Sequence, residues 1–239
     1  APFLTDIGRG IIPKHLVEKD PEAFASRLIG SGPFSFVSYA PDSAVELRAF
    51  PDYFGGKPHL TRLIFRIIPE DSTRLLELSK GNIDLLQNAF PPDAIPRLQK
   101  DPKLKIEIAP STTYSYLGFN LSDPILKNKL VRQAMAYAID KEKIAKYIFR
   151  GFAIPANGLL TDRHWAHVPT ERIAYNPKKA LRLLDEANRF PDASGIRIRL
   201  TYKTSQNELS RRVAEVIQEQ LSHIGIAVTL KSYEWGTYY

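Results

Sequence analysis

The sequence predicts an α/β protein: mixed sheets flanked by helices, divided into two modules. Three observations carry this prediction. Segments whose apolar residues recur every second position alternate along the chain with segments whose apolar residues recur at helical spacing. Strand, helix and strand patterns follow one another once in each half, as in a βαβ unit. The charge is also divided unevenly. Residues 1–113 hold 14 basic and 14 acidic side chains, so the net charge of +7 arises wholly in residues 114–239, with 19 basic against 12 acidic.

Pro13 starts a turn of helix through His15, Leu16 and Val17, and Pro21 starts another through Phe24 and Leu28. This opening is weak for a free-standing domain, which leads us to expect a preceding segment. Gly30-Ser31-Gly32-Pro33 leads into the strand Phe34 to Tyr39. Because a strand follows, and not a helix N-terminus, the glycines serve a tight turn and not a phosphate cradle. Pro41-Asp42 turns into a second strand bearing Val45, Leu47 and Ala49, which completes an antiparallel hairpin. An aromatic loop, Phe50 to Gly56, precedes a strand from Leu63 to Ile68. A helix capped by Asp71 or Ser72 then carries Leu75, Leu76 and Leu78 to Gly81, and Ile83 to Leu86 reads as the returning strand. A short helix from Pro92 to Gln99 and a strand from Leu104 to Ile108 complete this half.

The stretch Tyr114 to Phe149 joins the halves. Leu117, Phe119 and Leu121 alternate with Tyr116, Gly118 and Asn120, which predicts a half-buried strand ended by Pro124. From Asn128 the period changes, and Val131, Ala134, Met135, Ala138 and Ile139 form a helical core stripe whose alanines permit close backbone approach. Asp140 reads as the cap of a second helix that presents Ile144, Ile148 and Phe149 inward before Gly151. Asn176 with Pro177 starts a helix through Ala180, Leu181, Leu184 and Ala187. Alternating Ile196, Ile198, Leu200 and Tyr202, then a helix from about Gln206 to Ile224, then Gly225 and the strand Ile226, Val228, Leu230 predict a βαβ unit with parallel strands. The chain ends on Tyr233-Glu234-Trp235-Gly236-Thr237-Tyr238-Tyr239, an aromatic run that calls for a continuation or a partner to cover it.

Composition removes several chemistries. With no cysteine there is no disulfide, thiolate catalysis or cysteine-ligated metal. No apolar run reaches bilayer-spanning length, and the first residues lack the basic and apolar sections of a signal peptide. His164 and His167 form an HxxH on a loop without a third ligand in view, so no metal is expected. No GxSxG elbow is present, and the acidic pairs Glu70-Asp71, Asp140/Glu142 and Asp185-Glu186 lie at helix starts or on exposed faces. Catalysis is therefore unmotivated and no cofactor is called for. Lys127, Lys129, Arg132, Lys141, Lys143 and Lys146 alternate with core positions and acids, which describes solvated helix faces and not a nucleic-acid surface. The aromatics Tyr114, Tyr116, Phe119, Trp165, Tyr233 and Trp235 offer apolar area with polar tips to a ligand; core packing is the plainer reading for any one of them.

Taken together, GSGPF (30–34), PDYFGGKPHLTRLIFRII (51–68), LSKGNIDLL (78–86), YLGFN (116–120), LVRQAMAYAIDKEKI (130–144), GFAIPANGLL (151–160), YNPKKALRLLDEAN (175–188) and LKSYEW (230–235) resemble family 5 of the bacterial extracellular solute-binding proteins. The pieces occur in family order across nearly the whole chain. The resemblance implies a partial, two-lobed, periplasmic-binding-protein-like fold of class II, the Venus-flytrap type, with residues 1–113 in the first lobe and 114–239 in the second. It implies a receptor outside the cytoplasmic membrane that hands peptides, or another small solute, to the permease subunits of an ABC importer. Any tie to the membrane would be peripheral, through an N-terminal anchor beyond this stretch. It also implies an internal fragment, lacking the acidic anchor for a peptide amino terminus that follows the EW motif. By the same resemblance Trp235, with Glu234 beside it, lines the pocket; Tyr116, Phe119 and Asn120 match the crossover strand near the cleft, and Asn157 matches a loop facing it. A hydrolase using the same groove and a non-transport interaction module are the competing classes.

Overall fold

The computed structural model describes residues 11–20, 22, 28–88, 90–109, 111, 113–162, 164–234 and 236, and the chain divides into two units, Ala1–Phe90 and Pro91–Tyr239. In the first unit, helix α1 (Lys14–Lys19) starts directly after Pro13, as the fixed proline φ favours. The expected helix from Pro21 to Leu28 falls almost entirely outside the described residues. Strands β1 (Phe34–Ala40), β2 (Ala44–Ala49) and β3 (Arg62–Arg66) form an antiparallel sheet in that order. The β1–β2 turn places Asp42 at φ 54°, a left-handed position that aspartate tolerates. Register aligns Phe36, Leu47 and Leu63 in one row and Tyr39, Val45 and Phe65 in the next, with an irregularity between Phe36 and Ser38. Strand alternation puts both rows on one face, so the sheet is apolar on that side.

Helix α2 (Asp71–Lys80) follows and ends at Gly81, whose φ of 77° permits the left-handed C-terminal turn. Its predicted cap is different in detail. Glu70 occupies the capping position without a side-chain bond, and Asp71 instead pairs with Arg74 one turn on. Arg66 Nη1 reaches Glu77 Oε2 at 2.8 Å and ties β3 to α2. The returning strand expected at Ile83–Leu86 does not form, so the first half holds no βαβ unit: β3 joins β2 antiparallel, and Leu85 is 78% exposed. Gly81 and Asn88, both at positive φ, interrupt extended backbone on either side of the segment, and a strand exists only where its ladder is paired.

In the second unit a 3₁₀ turn (Pro92–Ala94) runs into the short helix α3 (Ile95–Leu98), which buries Ile95 and Leu98. Two further expected strands, Leu104–Ile108 and Tyr114–Leu121, have no ladder. The alternation in the second is right for Leu117 and Phe119, which pack on the core while Tyr116 is 69% exposed, but not for Leu121, which is 56% exposed beyond the core. Periodicity reports which side is buried; it does not supply a partner strand.

Helix α4 (Lys129–Ala138) starts where Asn128 Oδ1 accepts the Leu130 N–H, and it buries Val131, Ala134, Met135 and Ala138 as predicted. Asp140 Oδ1 accepts the Lys143 N–H at 3.0 Å, confirming it as a cap. The helix it starts, α5 (Lys141–Lys143), widens into a π-turn (Ile144–Ile148) that closes when Gly151 N–H reaches the Ala145 carbonyl. Helix α6 (Pro177–Glu186), capped by Asn176, packs on α4. Strand β4 (Ile198–Ser205), helix α7 (Glu208–Ser222) and strand β5 (Ile226–Tyr233) make the predicted βαβ unit, with β4 and β5 parallel from Ile198↔Ile226 to Ser205↔Tyr233. One core unites these elements: Val131, Ala134, Ala180, Leu184 and Ile226 are wholly buried, with Leu221 and Ile224 at 1%. The Asp140 N–H donates to the buried Gln220 Oε1 at 2.8 Å, which satisfies the polar backbone where α5 meets α7.

Gly225 turns α7 into β5 at φ 78°, and a Cβ there would lie 2.9 Å from the Gly195 carbonyl oxygen and 3.0 Å from Arg197 Cγ. Gly225→Ala is expected to cost at least about 1–2 kcal/mol from the left-handed backbone alone, read as a lower urea midpoint at unchanged slope. The turn into β4 supplies a second test. Asp192 accepts hydrogen bonds from the Ser194 hydroxyl, the Ile196 and Ser194 N–H groups and Arg199, which hold its carboxyl well below the usual carboxylate range. A depressed folded-state value means that this stabilisation is complete above the unfolded pKa of about 3.9 and is lost as pH falls below it. Asp192→Asn should therefore lower the melting temperature at pH 7, and its difference from the parent should shrink progressively as pH falls below about 3.9 in a thermal series.

Candidate functional site

The residues predicted to meet a ligand lie on three segments of the second unit, each placed by a different local device. The first, Tyr114 to Asn120, is held by Leu117 and Phe119 in the hydrophobic core. This leaves Tyr116 facing outward, where its ring stacks on Tyr114 with centroids 5.8 Å apart and planes 13° from parallel. Asn120 ends the segment in a turn: its Oδ1 accepts the Ser122 N–H at 3.0 Å and its carbonyl accepts the Asp123 N–H. Asp123 Oδ1 then accepts from Ile125 and Leu126, which carries the chain toward α4. The Asn120 side-chain oxygen is thus engaged by its own turn.

The second segment is the exposed end of β5. Tyr233 pairs with Ser205, and its carbonyl accepts the Gln206 N–H at 3.1 Å. Lys203 Nζ lies 5.7 Å from the centre of the Tyr233 ring. Glu234 is exposed, and its Oε2 accepts the Gly236 N–H at 2.8 Å. Trp235 lies outside the described residues.

The third segment is the loop after Gly151. Asn157 is exposed, its carbonyl accepts the Thr170 hydroxyl, and the neighbouring Ala156 carbonyl accepts Lys141 Nζ at 2.9 Å. Lys141 was grouped with the solvated lysines by sequence, yet its ammonium titrates below the ordinary lysine range. Burial is the main cause and the charge of Arg172 the second. Neither Lys141 nor Thr170 carries a sequence signal for this role, since the loop that recruits them is distant in the chain. Farther along, Trp165 is 90% exposed and stacks on His164. Both histidines of the HxxH pair spend Nδ1 on backbone, His164 accepting from Ala166 N–H and His167 bonding the Leu160 carbonyl. Among the described residues no group of three or more His, Cys, Asp or Glu side chains is placed to hold a metal ion.

Phe119 and the strand leading to Glu234 therefore draw on one core, whereas Asn157 is positioned by a separate set of polar contacts. All of residues 1–239 match the model of the bacterial extracellular solute-binding proteins, family 5 middle region. The chain belongs to this family. It is 31% identical over 247 residues to the dipeptide-binding protein of Escherichia coli, covering 100% of this chain and 46% of that protein. It is also 31% identical to the heme-binding protein A of Haemophilus influenzae, covering 100% of this chain and 45% of the other. Among solved structures, the periplasmic binding protein DppA of Helicobacter pylori in complex with the peptide STSA superposes with a TM-score of 0.85 at 29% identity, over 100% of this chain and 47% of that one. The fold is accordingly that of a periplasmic binding protein in part, and the chain spans about half the length of the relatives it matches.

The two aromatic neighbours, Tyr116 and Phe119, are separable by experiment. Phe119→Ala should lower stability by about 2 kcal/mol, less than full truncation of a wholly buried ring, whereas Tyr116→Ala should stay within about 0.5 kcal/mol of the parent. Chemical denaturation of both variants checks this, and a loss of ligand affinity in Tyr116→Ala would then report contact and not unfolding.

Proposed function

We propose that this chain is the central part of the substrate-binding component of a bacterial ABC importer, which captures peptides or a related small solute outside the cytoplasmic membrane. The observation that carries the reading is the match of the whole chain to an extracellular solute-binding family. Relatives named for dipeptide and for heme binding support a small-solute ligand and leave its chemistry to the variable walls of the site. Residues 1–113 supply the first lobe and 114–239 the second. Trp235 and Tyr116 offer flat aromatic walls, Phe119 anchors the Tyr116 segment in the core, and Glu234, Asn120 and Asn157 offer polar groups to an extended backbone. Solute binding shifts the population toward the form for which the solute has the higher affinity, and the permease subunits receive that form. No described helix is long and apolar enough to cross a membrane; in the proposed reading any tie to the membrane is peripheral, through the permease or an anchor. The protein binds its solute without turning it over.

Native mass spectrometry tests this with an equimolar pool of synthetic di-, tri- and tetrapeptides added to the protein. Retention of unaltered peptide mass, and a stability gain of about 2.7 kcal/mol at 100 times the dissociation constant, is the expected result. Trp235→Ala should weaken retention at least tenfold, in keeping with loss of one aromatic wall. Cleaved products would instead establish a hydrolase, and an unchanged affinity in Trp235→Ala would remove that residue from the site.

A further inference from the structure

The loop that carries Asn157 has no regular backbone support. Among the described residues, no backbone–backbone hydrogen bond involves residues 153–160; the flanking bonds are Phe152 N–H to Phe149 and His164 N–H to Thr161. Three side chains bond its carbonyls instead: Lys141 to Ala156, Thr170 to Asn157 and His167 to Leu160. Two of these act on consecutive peptide units and come from opposite sides in sequence. A peptide plane held at each carbonyl fixes the φ and ψ between them, and so fixes the direction in which the Asn157 side chain leaves the backbone.

The anchors of these side chains are firm. Lys141 follows Asp140, whose backbone N–H is bonded to buried Gln220 and whose carboxylate caps α5. Thr170 precedes Arg172, which pairs with Glu142 on the same helix. That segment then closes at Asn176, whose N–H donates to the Tyr137 carbonyl at 2.7 Å at the end of α4. The two adjacent residues Lys141 and Glu142 thus fasten both limbs of one long loop to α5. A lysine bonded to a carbonyl and not to a carboxylate makes a charge-assisted bond with fixed geometry, in a place where its charge is partly removed from water.

We propose that Lys141 and Thr170 are positioning residues for the binding site, holding the Ala156 and Asn157 carbonyls so that Asn157 is presented to the solute. This rests on the reading above that the Asn157 loop faces the ligand. Neither residue touches the solute; both act through Asn157.

Limited chymotrypsin proteolysis of the parent and of Lys141→Met, Lys141→Arg and Thr170→Val, read by mass spectrometry and paired with binding of the same peptide pool, decides it. Lys141→Met should speed cleavage after Leu159 and Leu160 about fivefold to twentyfold, the loss of one charge-assisted bond, with hydrogen exchange of amides 131–138 of α4 unchanged. Lys141→Arg, which keeps a cationic donor, should restore most of the resistance. Thr170→Val, at an exposed residue, should speed the same cleavage and carries the test if Lys141→Met fails to fold. Binding should weaken in Lys141→Met and in Asn157→Ala, and the double variant should be no weaker than Asn157→Ala alone. Unchanged cleavage in both Lys141→Met and Thr170→Val overturns the clamp, as does additivity in the double variant. A separate outcome, faster cleavage in Lys141→Met with full binding by Asn157→Ala, removes Asn157 from the ligand and with it the positioning role.

Discussion

Close packing of α4 on α6 is the constraint from which the rest of the second unit follows. Ala134, Ala138 and Ala180 are small enough to let the two helices approach, and Val131 and Leu184 fill the space that remains; all five are at most 1% exposed. The same core receives Ile217, Leu221 and Ile224 from the α7 side and Ile226 from β5, so the βαβ unit is seated by contacts it shares with α4. Polar links complete the seam. Lys179 Nζ bonds the Tyr137 hydroxyl and lies 4.1 Å from the centre of its ring, joining the start of α6 to the end of α4 at a point where both helices expose polar termini.

Function is built at the margins of this core. Leu117 and Phe119 spend their apolar faces on it and thereby turn Tyr116 outward. Strand β5 spends Ile226 and Val228 on it and projects Glu234 beyond the last ladder pair. The loop after Gly151 takes nothing from it directly and depends on side-chain donors anchored to α5. Elements tied into the core are held by many buried contacts, whereas the loop after Gly151 depends on a few side-chain donors to its carbonyls.

Much of the fold was legible in the residues because it follows from local chemistry. Asn128, Asp140, Asn176 and Asn207 each accept a backbone N–H at a helix start, the job for which short polar side chains are suited. The three strands that failed to form, at 83–86, 104–108 and 114–121, share one cause: β pairing requires a neighbour, and a neighbour is a tertiary fact. The aromatic and amide candidates were read through family likeness and not through spacing, and the structure adds what each is committed to. The Asn120 oxygen is taken by its own turn, and the Asn157 carbonyl by Thr170.

By itself, the sequence determined the main helices of the second unit, their caps at Asp140 and Asn176, the stripe each buries and that β4, α7 and β5 make a parallel unit, because period, capping and glycine placement are local properties of the chain. Only tertiary structure decided which extended segments gain a ladder and that Lys141, one of six similar cations between residues 127 and 146, is drawn partly out of the solvent to hold a loop 15 residues away. The physical reason is the same in both cases. A hydrogen bond between distant residues depends on where the packed core delivers its two ends, and no local pattern encodes that delivery.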